Sequence, residues 1–479
     1  MLYQQFQQNI EKLIGNRPRV RSIALAVSGG SDSIALLMLT HKWVCTNSIN
    51  KNINVVVMLV DHHLREQSKL EHEYVRDLSH KLGHTYHLLH FDHQNNFSNL
   101  QARAREGRYQ LMTDLCRKLD ILTILTAHHL DDYIENYCLR SEKKSSIFGL
   151  SGSNINWYNN VRIVRPLFNI PKQQLVTYLI TNNIKWFEDE SNKSDKYQRN
   201  IIRKKLSQQG EYVKNQIISE QSTINQLVEE KLQPELIACI AESVKIYQFG
   251  FATINLLKVI EFSNEIILQL ISFVLIIISG RNRSSRTSGV SRIMVLLQQQ
   301  MDFTKTLHGC VIKRTSNNLI IYREFGRSLP MDIKLNNVYS NDLENWNVKQ
   351  GVSGLGVDEL REYANAPKFY GANSSKQKSI DVWDGRFRFA GSFTNNSDYL
   401  ISNLTIENYS KIKQDLDLTI LKNTSFNNHV AILFTLPVVK ILEKVIAIPH
   451  ISYYNGNGLR EGLDVSFSPN FISRFTHFC

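Results

Sequence analysis

Ile23-Ala24-Leu25-Ala26-Val27-Ser28-Gly29-Gly30-Ser31-Asp32-Ser33 joins an apolar run to a Ser/Gly turn, and a helical pattern follows from Ser33 to Trp43. Five apolar residues closed by a turn signal read as a strand covered on both faces. The turn then lies where the positive end of the helix dipole and unsatisfied amides welcome an anion. Gly29 and Gly30 let the backbone approach a phosphate closely, and the hydroxyls of Ser28, Ser31 and Ser33 add donors. No lysine follows in the GxxxxGK[ST] pattern, so the loop is not built to cradle a γ-phosphate for transfer and suits the pyrophosphate of ATP instead. Asp32 reads as a Mg2+ ligand, because hard cations that bridge phosphates take one or two carboxylates. A plain Ser-Asp capping turn is the bland alternative, and the strand before and helix after weigh against it.

Working outward, the next strand is Val55–Val60, followed by a charged helix over 66–82, a strand at 86–89, a helix over 100–119 and a strand at 121–126. Strands alternating with helices predict a doubly wound α/β domain on a parallel sheet, with ligands at the carboxyl ends of its strands. A helix follows Pro171, and the first boundary falls near 210. Residues 213–326 read as mainly helical, ending in a hairpin of Val311–Lys313 and Leu319–Tyr322. A polar stretch from Arg327 to about Lys376 precedes a β-rich part at 377–479 that contains 382–389 and 444–449.

The 479 residues carry a net charge of +12, which attracts a polyanion by counterion release. A genome biased toward Asn, Ile and Lys gives the same excess, so charge alone does not decide. The six cysteines, at 45, 116, 138, 239, 310 and 479, form no CxxC pair, as expected of thiols in a reducing compartment. The first residues read as an amphipathic helix through Phe6, Ile10, Leu13 and Ile14, without an export signal, so a cytoplasmic location is expected. Ile266–Ile278, the most apolar stretch, falls short of the ~20 residues of a membrane span and reads as a buried helix.

Three further stretches carry chemistry. Ala127-His128-His129-Leu130-Asp131-Asp132-Tyr133-Ile134-Glu135 begins at a strand end, on the binding edge of the sheet. If Asp131 opens a helix, Glu135 lies one turn from both Asp131 and Asp132. The HExxH zinc spacing is absent, and adjacent His128 and His129 point to opposite sides, so at most one meets the ligand. In Gln101–Tyr109, Arg105, Arg108 and Tyr109 share a helix side, and forked guanidiniums suit phosphate. Asp61 or His62, ending the second strand, is placed to meet the adenosine part of a nucleotide, although Asp61 equally suits a cap.

In order along the chain, SGGSDS (28–33), VDHHLR (60–65), QARAREGRY (101–109), TAHHLDDYIEN (126–136), FGLSG (148–152), RPL (165–167) and WFEDESNKSDKYQRNIIR (186–203) resemble the tRNA(Ile)-lysidine synthase family of N-type ATP pyrophosphatases. TLHGCVI (306–312) and AIPH (447–450) extend the resemblance more weakly. It implies an adenine nucleotide alpha-hydrolase-like catalytic domain over 1–210, with tRNA-binding domains at 213–326 and 377–479. It further implies ATP-dependent ligation of L-lysine to C2 of the wobble cytidine in the CAU anticodon of an isoleucine tRNA, with AMP and pyrophosphate released and decoding changed from AUG to AUA. In that reading ATP is held by the loop with Asp61, His62, His128, Arg199 and Arg203, the last two in an RNxxR pattern. Mg2+ sits on Asp32, Arg105 neutralises the α-phosphate, and Asp132 and Glu135 hold the lysine ammonium groups, one of them acting as base. Family members are often dimers, which implies a homodimer.

The run Ser141-Glu142-Lys143-Lys144-Ser145-Ser146 departs from the family, which tends to show Arg-Gly-Ser there. Lys143 or Lys144 takes the place of the glycine, and a lysine is costly wherever that position needs positive φ. The departure keeps open a tRNA-binding protein of the same fold with impaired catalysis. A tRNA thiolase needs a cysteine pair or cluster motif that the chain lacks, and a small-molecule amidotransferase needs neither basic surface nor extra domains. Arg281, Arg283, Arg286 and Arg292 offer tRNA backbone contacts in the middle part.

Overall fold

The computed structural model describes residues 1–14, 21–46, 53–61, 68–91, 100–159, 161–188, 198–281, 285–326, 332–334, 382–384, 386–391, 399–422, 429–441, 443–455 and 463–467. His62, Arg283 and the segment 189–197 lie outside them. The chain divides into two compact units, Met1–Val228 and Glu229–Phe478.

The first unit runs α1 (Leu2–Ile14), β1 (Ser22–Ala26), α2 (Ser31–Thr46), β2 (Asn54–Asp61), α3 (Ser68–Lys81), β3 (Thr85–His90), α4 (Leu100–Lys118) and β4 (Thr123–Leu125). It continues with α5 (Leu130–Glu142), α6 (Ile147–Leu150), β5 (Ile155–Tyr158), β6 (Val161–Val164), α7 (Lys172–Thr181) and α8 (Gln198–Leu227). The sheet order is β3-β2-β1-β4-β6-β5, parallel except for the β5–β6 pair. Alternation along β1 sorts its side chains between two cores. Ile23 and Leu25 pack with Phe6, Ile10 and Ile14 of α1 and the apolar side of α2, while Ala24 faces Met112 and Cys116 of α4. Both faces are thereby covered, as near-continuous apolar strands require. The edge pair β5–β6 has only four residues per strand, too short to stand out as a run in the sequence.

α8 is not one rod. Gly210 sits at φ 78, ψ −179 within it, a conformation essentially restricted to glycine, and breaks the helix there, whereas the division between the two compact units falls later, after Val228.

In the second unit, helices α9 (Gln233–Ser243), α10 (Leu256–Val259), α11 (Asn264–Ser279) and α12 (Thr287–Gln298) accompany a sheet in the order β7-β8-β11-β10-β9. Its strands are β7 (Val244–Tyr247), β8 (Phe251–Asn255), β9 (Thr304–Leu307), β10 (Cys310–Thr315) and β11 (Asn318–Arg323). The expected hairpin is β10–β11, with Ile312 opposite Ile321, and the other three strands extend it. α11 buries the apolar stretch 266–278 against this sheet, capped by the Ser263 hydroxyl and ended by Gly280 at φ 71. Among the described residues no helix is long and apolar enough to cross a membrane. Two antiparallel sheets complete the unit, and 382–383, 387–391 and 444–448 are strands in them.

Candidate active site

At the carboxyl edge of the parallel sheet, β1 and β4 are neighbours whose onward connections run in opposite directions, β1 toward β2 and β4 toward β6. That switch point opens a crevice. Residues 27–30 turn from β1 into α2 there, and Gly29 adopts φ +83, which L side chains rarely tolerate. The Gly29 carbonyl accepts from Phe187 N–H at 3.0 Å, so the 184–188 segment docks on the loop. Ser33 donates to Gly30 O (2.9 Å) and accepts from Ser28 N–H (3.1 Å), so its hydroxyl shapes the turn, while Ser31 donates to Asp32 (3.2 Å).

His129 faces this loop from the end of β4. Its Nε2 is 3.4 Å from Asp32 Oδ2 and 3.6 Å from Asp132 Oδ2, and its Nδ1 is 3.5 Å from Asp131 Oδ2. Burial opposes charging the ring, but the carboxylates around it prevail and raise its pKa to about 10. Asp131, 3.5 Å from His129 Nδ1 and, against burial, accepting from the Lys172 amide at 2.8 Å, is held down to about 2. Burial disfavours the Asp32 carboxylate too, yet His129 and Lys172, whose Nζ is 3.7 Å away, keep it below the ordinary value.

One turn along α5, Asp132 and Glu135 share a face and meet Arg203 of α8. Arg203 Nε donates to Glu135 Oε1 at 2.5 Å, and its Nη2 lies 3.9 Å from Asp132 Oδ1. Burial pushes the Glu135 pKa up in spite of that guanidinium, and Glu135 Oε2 is buried with no hydrogen-bond partner. Four carboxylates (Asp32, Asp131, Asp132, Glu135) thus lie among the cations His129, Lys172 and Arg203, and Arg199 also acts on Glu135.

His128 turns the other way. Its Nδ1 is 3.1 Å from Thr126 Oγ1, and burial, reinforced by Arg165, Arg105, Arg108 and Arg199, holds its pKa well below the usual value. Asp61, at the end of β2, lies 3.8 Å from His72 and 4.0 Å from His90. Arg199 donates to Asn136 Oδ1 at 2.8 Å, and Asn200 beside it is buried. The pattern Asp32, His128, Asp132, Glu135, Arg199 and Arg203 is therefore gathered at one edge. Sequence reasoning missed His129 as the partner of Asp32, and Lys172 altogether. The order His-His-Leu-Asp-Asp contains a signal for the first, since His129 precedes α5 and its backbone N–H is capped by Asp132 at 3.2 Å. Nothing local marks Lys172.

Among the described residues no group of three ligating side chains forms a ready cation cage. A Mg2+ ion that arrives on phosphate needs only one or two carboxylates. Asp32 and Asp132 fit that demand, since both already stabilise positive charge on the same imidazole nitrogen.

Beyond the crevice, α5 ends at Glu142 and Lys144 stands at φ +50, in the left-handed region, exposed. Its N–H donates to Ser141 O and that of Ser145 to Arg140 O, closing the helix as a glycine would.

Residues 2–210 match the PP-loop domain family. Over 479 residues the chain is 53% identical to the tRNA(Ile)-lysidine synthase of Rickettsia akari and 51% identical to that of Rickettsia typhi, covering 100% of both chains in each case. Among solved structures it is similar to a U34-tRNA thiolase from Methanococcus maripaludis, with 15% identity and a TM-score of 0.40 over 47% of this chain and 79% of that one.

Proposed function

Because the chain belongs to the tRNA(Ile)-lysidine synthase family, we propose that its crevice adenylates the wobble cytidine of an isoleucine tRNA bearing CAU and then joins L-lysine to C2 of that base. It is an ATP-dependent carbon–nitrogen ligase. ATP lies with its pyrophosphate on the Ser28–Ser33 loop, whose amides and the α2 dipole stabilise the departing charge. Asp32, with Asp132 at hand, would hold Mg2+, which would supply further neutralisation of that leaving group. Arg105 faces the α-phosphate, while Asp61, His128 and Arg199 line the nucleotide.

The observation that carries the lysine step is the unpartnered Glu135 Oε2 beside Asp132. Asp132 and Glu135 already hold one guanidinium, which is what a site for an ammonium group must do. Glu135, its pKa raised by burial, takes the proton that the ε-amine must lose before it attacks C2 and AMP departs. Two copies of the chain form the working enzyme in this reading.

Neither alternative is favoured. The relatives that match over full length carry the lysidine synthase name. Burial lifts the thiols of Cys116 and Cys310 to about 12 and that of Cys239 to about 11, far from the reactive thiolates of sulfur transfer. Incubation with ATP, radiolabelled lysine and an isoleucine tRNA transcript bearing CAU is expected to label the tRNA. Intact tRNA binding without lysine transfer would instead identify a binding protein with a silent site. Asp32→Ala is expected to abolish pyrophosphate release and leave tRNA affinity within about two-fold, or ~0.4 kcal/mol, whereas loss of a tRNA contact worth about 1.4 kcal/mol would cost ten-fold.

A further inference from the structure

Adjacent histidines at one strand end divide the crevice by charge. His129 faces the carboxylates beside the phosphate loop, and His128 faces the opposite flank, where β6 ends. Thr126 N–H donates to Val164 O at 2.9 Å, so Arg165, the next residue, emerges beside His128. The charges that act most strongly on His128 are all guanidiniums, from Arg165, Arg105, Arg108 and Arg199. Those acting on Arg140 come first from Arg165 and Arg105. The Nε atoms of Arg108 and Arg165 are buried without a hydrogen-bond partner, so both guanidiniums keep donor capacity that the chain does not satisfy. Aromatic rings adjoin them: Arg105 lies over Tyr109 (5.4 Å), which stacks on Tyr158 with ring centres 5.7 Å apart.

A nucleotide gripped by the β1 loop is neutralised by loop amides, Mg2+ and Arg105 and lined by Arg199, and has no use for the further guanidiniums of Arg108, Arg165 and Arg140 on the far side of His128. Resting on the functional reading above, we propose that Arg108, Arg165 and Arg140, with the Tyr109–Tyr158 stack, form a second subsite. It clamps the sugar–phosphate of the anticodon strand next to the wobble cytidine. The phosphodiester takes donors of these guanidiniums, and a neighbouring unpaired base lies against the tyrosines, as single-stranded RNA is commonly held. The subsite fixes the cytidine from one side while the acidic half presents lysine and the loop presents ATP from the other.

The test measures binding of a CAU isoleucine tRNA transcript against salt, and of ATP separately, for the full chain and its variants. Arg108→Gln is expected to weaken tRNA binding on the order of ten-fold and to lower the slope of log affinity against log salt by about 0.7, one phosphate contact to a single strand. ATP affinity should stay within two-fold. Arg108→Lys should recover the salt slope, and Tyr109→Leu should weaken tRNA binding with the slope unchanged. Arg165 also donates to Ser153 O, so Arg165→Gln carries weight only where its melting curve matches wild type. Weakened ATP binding with tRNA binding intact would reassign the arginines to the nucleotide, and unchanged binding of both by folded Arg108→Gln would abolish the subsite. Failure of the wild-type chain to bind the tRNA at all overturns the functional reading and this subsite with it. tRNA binding that persists while only the variants behave as wild type overturns the subsite alone.

Discussion

In the proposed reaction Glu135 is the residue on which most of the chemistry converges, and its isostere separates the roles proposed for it. Glu135→Gln keeps the shape but removes the proton acceptor and half of the counter-charge for Arg203. Lysine transfer is expected to fall by about 10²-fold or more, the usual contribution of a positioned base, with ATP and tRNA binding retained in equilibrium assays. Lys144 is the opposite kind of residue, exposed and strained. Lys144→Gly is expected to raise stability by up to ~1 kcal/mol in a denaturant melt, the left-handed strain relieved less the entropy that glycine adds to the unfolded chain. Unchanged lysine transfer in that variant would show that the departure at 141–146 does not impair catalysis. At this scale the sequence was informative where chemistry and local order coincide. Asp32 announces itself because a strand and a helix frame it, and Asp132 with Glu135 because helical spacing puts them on one face. Lys172 stayed hidden because its tie to Asp32 spans 140 positions that no periodicity connects.

At the scale of elements, the parallel strands β1, β2 and β3 and helices α1 to α5 are legible because burial on both faces or on one stripe leaves a period in the chain. The short strands β5 to β9 are not, since four or five residues with mixed exposure carry no period long enough to read. The break in α8 is legible only as a loosening of pattern near 210, yet it rests on a single backbone conformation. Gly210→Ala is expected to destabilise the first unit by about 1–3 kcal/mol, measured as a lowered melting temperature. A methyl group there would meet nothing within 4 Å, so the cost is one of backbone alone. A melt identical to wild type would mean that α8 simply straightens.

Across the whole molecule, acid should loosen both units through buried imidazoles. His84, paired with His41 at 3.1 Å, is held by burial at about 4, and His450, fully enclosed, at about 3. Their folded values lie below the unfolded 6.5, so the unfolded chain takes up protons that the folded chain refuses. The stability they confer is complete above pH 6.5 and declines as pH falls toward 4 and 3. Between pH 7 and 5 each group should cost about 2 kcal/mol, visible as a lowered urea midpoint that His84→Gln or His450→Gln makes less steep. The pairing of Glu135 with Arg203 has a consequence for the order in which a nascent chain matures. The two residues are 68 positions apart, so at about 5–20 residues per second the carboxylate emerges roughly 3–14 s before its cation. Until then α5 cannot settle on its final neighbours without enclosing a lone charge. The ribosome therefore delivers the sheet early and its reactive edge late, and the catalytic crevice closes only when the start of α8 has been made.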